Sequence, residues 1–355
     1  MKDVGVYQDW HIHELRSRTK GVTMDNSAKR QSDALGIVFA ICSAMLFGAL
    51  VPFSKMLLAS FTPLQFAAFL LLGAGIGGAC LLVMRSALGK ASTTAKIDSS
   101  IAPKLALIIA LNGIAVACLA SGIAYTLATN ASLLMGFEIA AATVCGWAFF
   151  HRHVCFKAIA AVGLICLATI VLFWNTADNT VFAPQSLFIV AACALRGFES
   201  GIKRSLADRD PLQLTCVRSL GAGIVLLVVA LAVDGMPSVN ASAFLGVFLL
   251  GVVTFGLGAA LHLIAERRLG SARSEQYFSL APFVGVLISW SYFGFELDPL
   301  FFGALAFMSL GVWLAMDDNV FHEDAFAALD RERLELYDGE ESPFDFDLMH
   351  RPLQH

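Results

Sequence analysis

Glu138 stands in an otherwise apolar stretch, residues 131–150, built of Ala, Leu, Val, Phe, Gly and a few small polar side chains. A carboxylate at the centre of a bilayer costs roughly 3 kcal/mol on insertion scales, so a chain that keeps one provides it with a partner or a watery cavity. Such a group can couple protons or cations to transport, or bind the charged end of a solute. The other reading is a neutral or ion-paired Glu that fixes helix packing. In the stretch 186–203, Arg196 and Glu199 are three apart and Lys203 lies four beyond Glu199, a spacing that lines side chains along one helix face. They are expected to form an internal ladder of ion pairs or a polar face on a cavity. Arg218 lies in the stretch 212–232, before Ser219 and Gly221-Ala222-Gly223. Its guanidinium keeps its proton and needs a carboxylate, backbone carbonyls, a phosphate headgroup or a solute; snorkelling to the interface is the alternative. Lys55, near the outer end of the stretch 34–58, is expected to snorkel. Pro52 and Pro282 lack an N–H and each frees a carbonyl, which can kink a helix and line a pathway. The substrate or coupling candidates are therefore Glu138, Arg218, Glu199, Arg196 and Lys55, with Pro52 and Pro282 as pathway residues.

The elements that must position these groups are membrane spans. Of the 355 residues 57% are hydrophobic and 15% charged, against about 25% charged in a soluble domain. Apolar stretches recur at residues 34–58, 64–84, 105–125, 131–150, 156–174, 186–203, 212–232, 244–265, 276–295 and 299–316. Each approaches the length needed to cross about 30 Å of hydrocarbon as a helix. The expected fold is an all-α polytopic membrane protein of ten transmembrane helices in two inverted five-helix repeats. The expected parts are a polar N-tail at 1–33, repeats at 34–174 and 175–316, and an acidic tail at 317–355. Residues 1–33 carry no apolar signal-peptide core, and Met1 and Met24 are both candidate starts.

Charge sets the expected orientation. With the N-terminus in the cytoplasm, 21 of the 24 Lys and Arg fall on cytoplasmic segments, and Lys55, Arg196 and Arg218 are the remaining three. That asymmetry puts both termini inside the cell membrane. The tail from 317 holds twelve acidic and three basic residues; a short surface helix is expected over 323–337 and disorder over 340–347. The basic residues follow membrane orientation and give no sign of nucleic acid. Eight cysteines include no C-x-x-C pair, so neither a disulfide framework nor a zinc site is expected. Gly73-x-Gly75-x-Gly77-Gly78 lies inside an apolar span and reads as close helix packing. His262, near Glu266, reads as an interface residue; His151 and His153 flank Arg152 and are expected in solvent. His11 and His13 belong to the polar tail.

Residues 130–154 and 271–297, the fourth span of each half, open on small polar residues and close on aromatics and charge. At Phe278-Ser279-Leu280-Ala281-Pro282-Phe283 through Gly294-Phe295-Glu296-Leu297 the chain resembles the EamA-type members of the drug/metabolite transporter superfamily. Ser132 through Glu138 resembles a branch that carries Glu where others carry Pro. Phe69 through Gly75, Arg204 through Pro211, and Gly311-Val312-Trp313-Leu314 also resemble that branch. The resemblance covers residues 34–316 and implies a ten-helix transporter of a small solute. Two departures stand out: Arg152 replaces the usual Glu, and the tail holds His322, His350 and His355 in place of a His-rich run.

The leading expectation is a secondary transporter, an exporter of a small organic metabolite or drug-like solute, driven by protons or by the solute gradient. Its partners are then the solute, the lipid bilayer and protons, with a homodimer left open. No metal or cofactor is expected, and no nucleotide-binding Gly-x-x-x-x-Gly-Lys-Ser/Thr motif occurs. The alternatives are a scaffold or sensor acting through the acidic tail, and a membrane enzyme, for which no catalytic spacing appears.

Overall fold

The computed structural model describes residues 33–87, 101–150, 156–174, 185–206, 209–236, 240–294 and 299–315. The expectations for both tails, for His151, Arg152 and His153, and for Glu296 lie outside these residues. Helices α1 (Asp33–Leu57), α2 (Pro63–Ala87), α3 (Ala102–Tyr125), α4 (Ala128–Leu134 continued by Phe137–Phe150) and α5 (Phe156–Trp174) form the first group. The second comprises α6 (Ser186–Arg204), α7 (Pro211–Val233), α8 (Ala241–Leu269), α9 (Ser271–Phe278 continued by Ala281–Phe293) and α10 (Pro299–Ala315). No β-strand occurs among the described residues. Seven helices are long and apolar enough to cross a membrane: α1 to α5, α7 and α8. The other three differ for visible reasons. α6 carries Arg196, Glu199, Lys203 and Arg204 in 19 residues, α9 is divided, and α10 has 17 residues.

Local chemistry sets the helix ends. The Asp210 side chain accepts from Leu212 N at 3.1 Å and caps α7, with Pro211 preset for the first turn. Gly270 and Gly294 end α8 and α9 at φ +85° and +65°, a region that glycine enters without a Cβ penalty. Large apolar side chains such as Phe156, Ile224, Val228 and Trp313 are exposed on the outside, the pattern of a surface solvated by lipid rather than water.

Helices in like positions of the two groups pack on one another: α2 on α7, α5 on α10, and the first piece of α4 on the second piece of α9. The α2–α7 pair is tied at both ends. At one end Arg85 bonds Asp210 in a two-pronged ion pair, its Nη1–Oδ1 arm at 3.1 Å. At the other, Thr62 Oγ1 donates to Asp234 Oδ2 at 2.5 Å and Gln65 Nε2 to the Gly235 carbonyl at 3.2 Å.

Between those ties the glycines of α2 admit two neighbours. A Cβ on Gly75 would meet the Leu220 side chain of α7, and one on Gly73 would meet the Phe248 carbonyl of α8. Gly251 of α8 answers, its missing Cβ leaving room for the Leu70 carbonyl. The glycine run is therefore a packing surface, as its apolar setting suggests.

Filling that contact with G251A is expected to cost about 1–3 kcal/mol through forced separation of backbones. G163A, where a Cβ meets nothing within 4 Å, is expected to lose nothing and to gain up to about 1 kcal/mol, the usual advantage of Ala over Gly inside a helix. Thermal unfolding of both variants in detergent checks the contrast.

Candidate functional site

A cavity of about 370 Å³ opens between the helix groups. Its walls include Ser43, Phe47 and Val51 of α1, Ser132 to Glu138 around the division of α4, Thr254 and Phe255 of α8, and Phe278 to Pro282 around the division of α9. The lining runs on to Lys203, His262, Glu275 and Ala315, near one set of helix ends.

Both divisions have local causes. Gly136 N bonds back to Leu133 O at 2.9 Å, a tight turn that ends the first piece of α4. In α9, Pro282 has no N–H and sits in the first turn of the second piece, where none is needed. Pro282 thus restarts the helix on the cavity wall instead of kinking a continuous one. Two half-helix N-termini face the site, and Glu138 lies in the first turn of one, where the helix dipole favours a negative charge. α8 widens to a π-helical segment over Val252–Leu257 at this depth, a local change that is frequent at functional positions.

The charges form two clusters along α6. In the first, Arg196 Nε lies 3.0 Å from Glu138 Oε2. The Arg196 guanidinium also stands 5.2 Å from the Phe47 ring centroid and 5.9 Å from that of Phe255. Two aromatic faces therefore replace water around the cation.

In the second cluster, Glu199 is 1% exposed, bonds Arg218 Nη1, and has Lys203 Nζ at 3.7 Å. Asn112 of α3 offers its Oδ1 to Arg218 Nη1 at 3.5 Å. The expected ladder along α6 is accordingly only half formed: Lys203 pairs with Glu199, whereas Arg196 turns to Glu138 of α4. Arg218 finds a buried carboxylate rather than the interface.

A third group lies at the rim. His262 Nε2 is 3.5 Å from both Glu266 Oε1 and Glu275 Oε1, and His262 Nδ1 is 3.4 Å from Ser274 Oγ. The His262 ring packs at 4.7 Å on Phe278.

Of the candidates, Glu138, Arg196, Arg218 and Pro282 line the cavity. Glu199 stands behind the wall and holds Arg218 in place. Lys55 is elsewhere, and the snorkelling expectation is corrected. Its Nζ donates to the carbonyls of Ile123, Ala124 and Thr126 at 2.8–2.9 Å, capping the C-terminal end of α3. An ammonium offers three donors, and three end-of-helix carbonyls otherwise lack partners.

Pro52 is buried off the lining; α1 is interrupted at Ala49, one turn before it, consistent with the carbonyl its ring frees at Gly48. Sequence reasoning passed over Asn112, Phe47, Phe255 and Glu275. Asn112 was detectable as an amide inside an apolar span. The phenylalanines carry no signal of their own among 28.

Comparison with known proteins agrees with this architecture. The sequence model of the EamA-like transporter family matches residues 34–174 and 186–316. A protein of Methanothermobacter thermautotrophicus described as an uncharacterized transporter is 23% identical over 275 residues, covering 72% of this chain and 78% of the relative. A solved crystal structure of a protein superposes with a TM-score of 0.56 at 14% identity, covering 79% of this chain and 96% of the other.

The buried pair carries a prediction about stability. R218M leaves Glu199 without its nearest cation and is expected to cost about 3–5 kcal/mol. The E199L/R218M double variant removes both charges, and Lys203, 36% exposed, keeps its way to water, so about half or more of that loss should return. Thermal unfolding of the single and double variants in detergent measures the coupling; equal losses would mean that the pair contributes only packing.

Proposed function

This chain belongs to the EamA-like transporter family, and we propose that it is a secondary transporter that exports a small organic solute across the cell membrane. One observation carries the reading: a walled cavity in which two divided helices meet paired charges. Midplane cavities bounded by divided helices are where secondary transporters hold their cargo. The packing of α2 on α7, α4 on α9 and α5 on α10 supports two inverted halves related by an in-plane axis. Helices α6, α9 and α10, which are charged, divided or short, complete the ten spans in this reading.

Both termini lie in the cytoplasm by the distribution of Lys and Arg. The cavity lining reaches the helix ends on that same side, at Lys203, His262 and Ala315, and stops short of the opposite ends held by Lys55. The cavity therefore loads from the cytoplasm, which favours export.

The solute is a small molecule with an anionic group and an apolar body. On the α6 side Arg196, Arg218 and Lys203 stand against Glu138 and Glu199, with Glu275 a further carboxylate at the rim beside His262, and Phe47, Phe255 and Val51 supply apolar contact. Glu199 does not touch the solute; it positions Arg218. Glu138 is the coupling residue. Protonation of its carboxyl cancels one half of the Glu138–Arg196 pair, so the guanidinium is free to take the solute's anionic group, and α6 is free to move relative to α4. Deprotonation restores the pair. The doubly tied α2–α7 unit is the support about which the halves rock.

Proteoliposomes holding an imposed pH gradient test this against pooled organic acids, amino acids, nucleosides and drug-like cations. Wild type is expected to move protons in response to one anion-bearing pool, and E138Q to lose that response while keeping solute exchange down its own gradient. Solute movement with no proton movement in wild type would remove the coupling role of Glu138; no solute movement from any pool would remove the transport reading.

A further inference from the structure

The rim cluster gathers one imidazole and two carboxylates at the mouth of the cavity. His262 and Glu266 are one helical turn apart on α8, and Glu275 comes from the first piece of α9, across the single residue Gly270. The three donor atoms lie within 4.8 Å of one another. His262 Nε2 stands 3.5 Å from each carboxylate oxygen, long for a charge-assisted hydrogen bond. Metal bonds of about 2.1 Å at tetrahedral angles place neighbouring donor atoms about 3.4 Å apart.

The donor chemistry agrees. One imidazole nitrogen with two carboxylate oxygens suits zinc-class ions, whereas magnesium and calcium prefer oxygen alone. The buried Ser274 hydroxyl meets Nδ1 at 3.4 Å. With Nδ1–H donating to it, Nε2 turns a lone pair toward the carboxylates, the orientation a metal-bound histidine takes. Two carboxylates this close repel one another, and a divalent cation cancels both charges with the imidazole neutral.

We propose that His262, Glu266 and Glu275 bind a zinc-class divalent cation at the mouth of the cavity, with the remaining coordination position facing the cavity. The ion ties the last turns of α8 to the first piece of α9 across Gly270. It acts on the cavity through contacts already in place: the His262 ring packs on Phe278, Phe278 packs on Phe47 at 5.2 Å, and Phe47 lies under the Arg196 guanidinium. Cation binding itself does not depend on the transport reading, so the two can fail separately.

The test uses the full chain in detergent, stripped with a chelator and titrated with cobalt chloride, then back-titrated with zinc chloride. Expected are saturable visible ligand-field bands of low-coordinate cobalt, abolished by zinc. H262A and E275Q should each weaken binding at least about tenfold, since loss of even an outer-shell partner costs 10–100-fold. A variant with His11, His13, His322, His350 and His355 all changed to Ala should keep the signal.

Should H262A unfold, E275Q decides, because Glu275 lies on the exposed rim. No saturable bands, bands unchanged in E275Q, or bands lost with the terminal histidines would each overturn the site. Solute flux measured separately in proteoliposomes reports on transport whatever the cobalt result.

Discussion

The structure depends on one constraint: a carboxylate with almost no access to water must be answered on every side. Glu199 meets that demand with Arg218 from α7 and Lys203 from its own helix. The cations in turn need carboxylates, because an unpaired guanidinium inside a bundle is as costly as an unpaired carboxylate. The result fixes α6 against α7, and through Asn112 against α3. Such a pair adds little net stability over an apolar replacement, yet it penalises any other register of these helices. It specifies where the α6 wall of the cavity stands.

Rigidity and freedom are divided between different elements. α2 carries glycines where α7 and α8 approach, and the α2–α7 pair is tied at both ends by polar bonds. Close backbone packing of this kind supplies association between helices where lipid offers no hydrophobic drive. α4 and α9 are built in the opposite way. Each is divided at cavity depth, so its two pieces can change their angle at the cost of few hydrogen bonds. Ser132 and Ser289 meet at 3.3 Å where the first piece of α4 crosses the second piece of α9, and small side chains there leave the crossing free of bulky interlocks. The division points, not the long continuous helices, hold the candidate binding surface.

Much of this was legible in the sequence. Spans follow from apolar runs whose lengths the bilayer dictates, so all ten stretches coincide with helical segments among the described residues. Intramembrane charges announce themselves because the solvent penalises them, which is why Glu138, Arg196, Glu199 and Arg218 stand out. Pairing was the part that could not be read. Helical spacing joins Arg196 to Glu199 as readily as Lys203 to Glu199, and only the approach of α4 to α6 decides that Arg196 goes to Glu138. Lys55 misled for the same reason. Its destination is a helix end that comes near only in three dimensions. The break at Met135–Gly136 has only a glycine to mark it, a residue frequent in continuous membrane helices, whereas Pro282 marked its counterpart openly.

The two carboxylates that the sequence set side by side as candidates are therefore unequal in what they can do. Glu199 is 1% exposed and engages two cations, so protonating it would put a neutral carboxyl behind the wall and take from Arg218 its nearest carboxylate. Glu138 is 29% exposed at its side chain, borders the cavity, and engages one. Its partner Arg196 keeps the faces of Phe47 and Phe255 when the carboxylate is neutralised, so the cation is never wholly abandoned. A coupling residue must exist in two charge states at tolerable cost in each. The aromatic pair beneath Arg196 lowers the cost of the neutral state, and the half-helix N-terminus of α4 lowers that of the charged one. Only Glu138 has both supports.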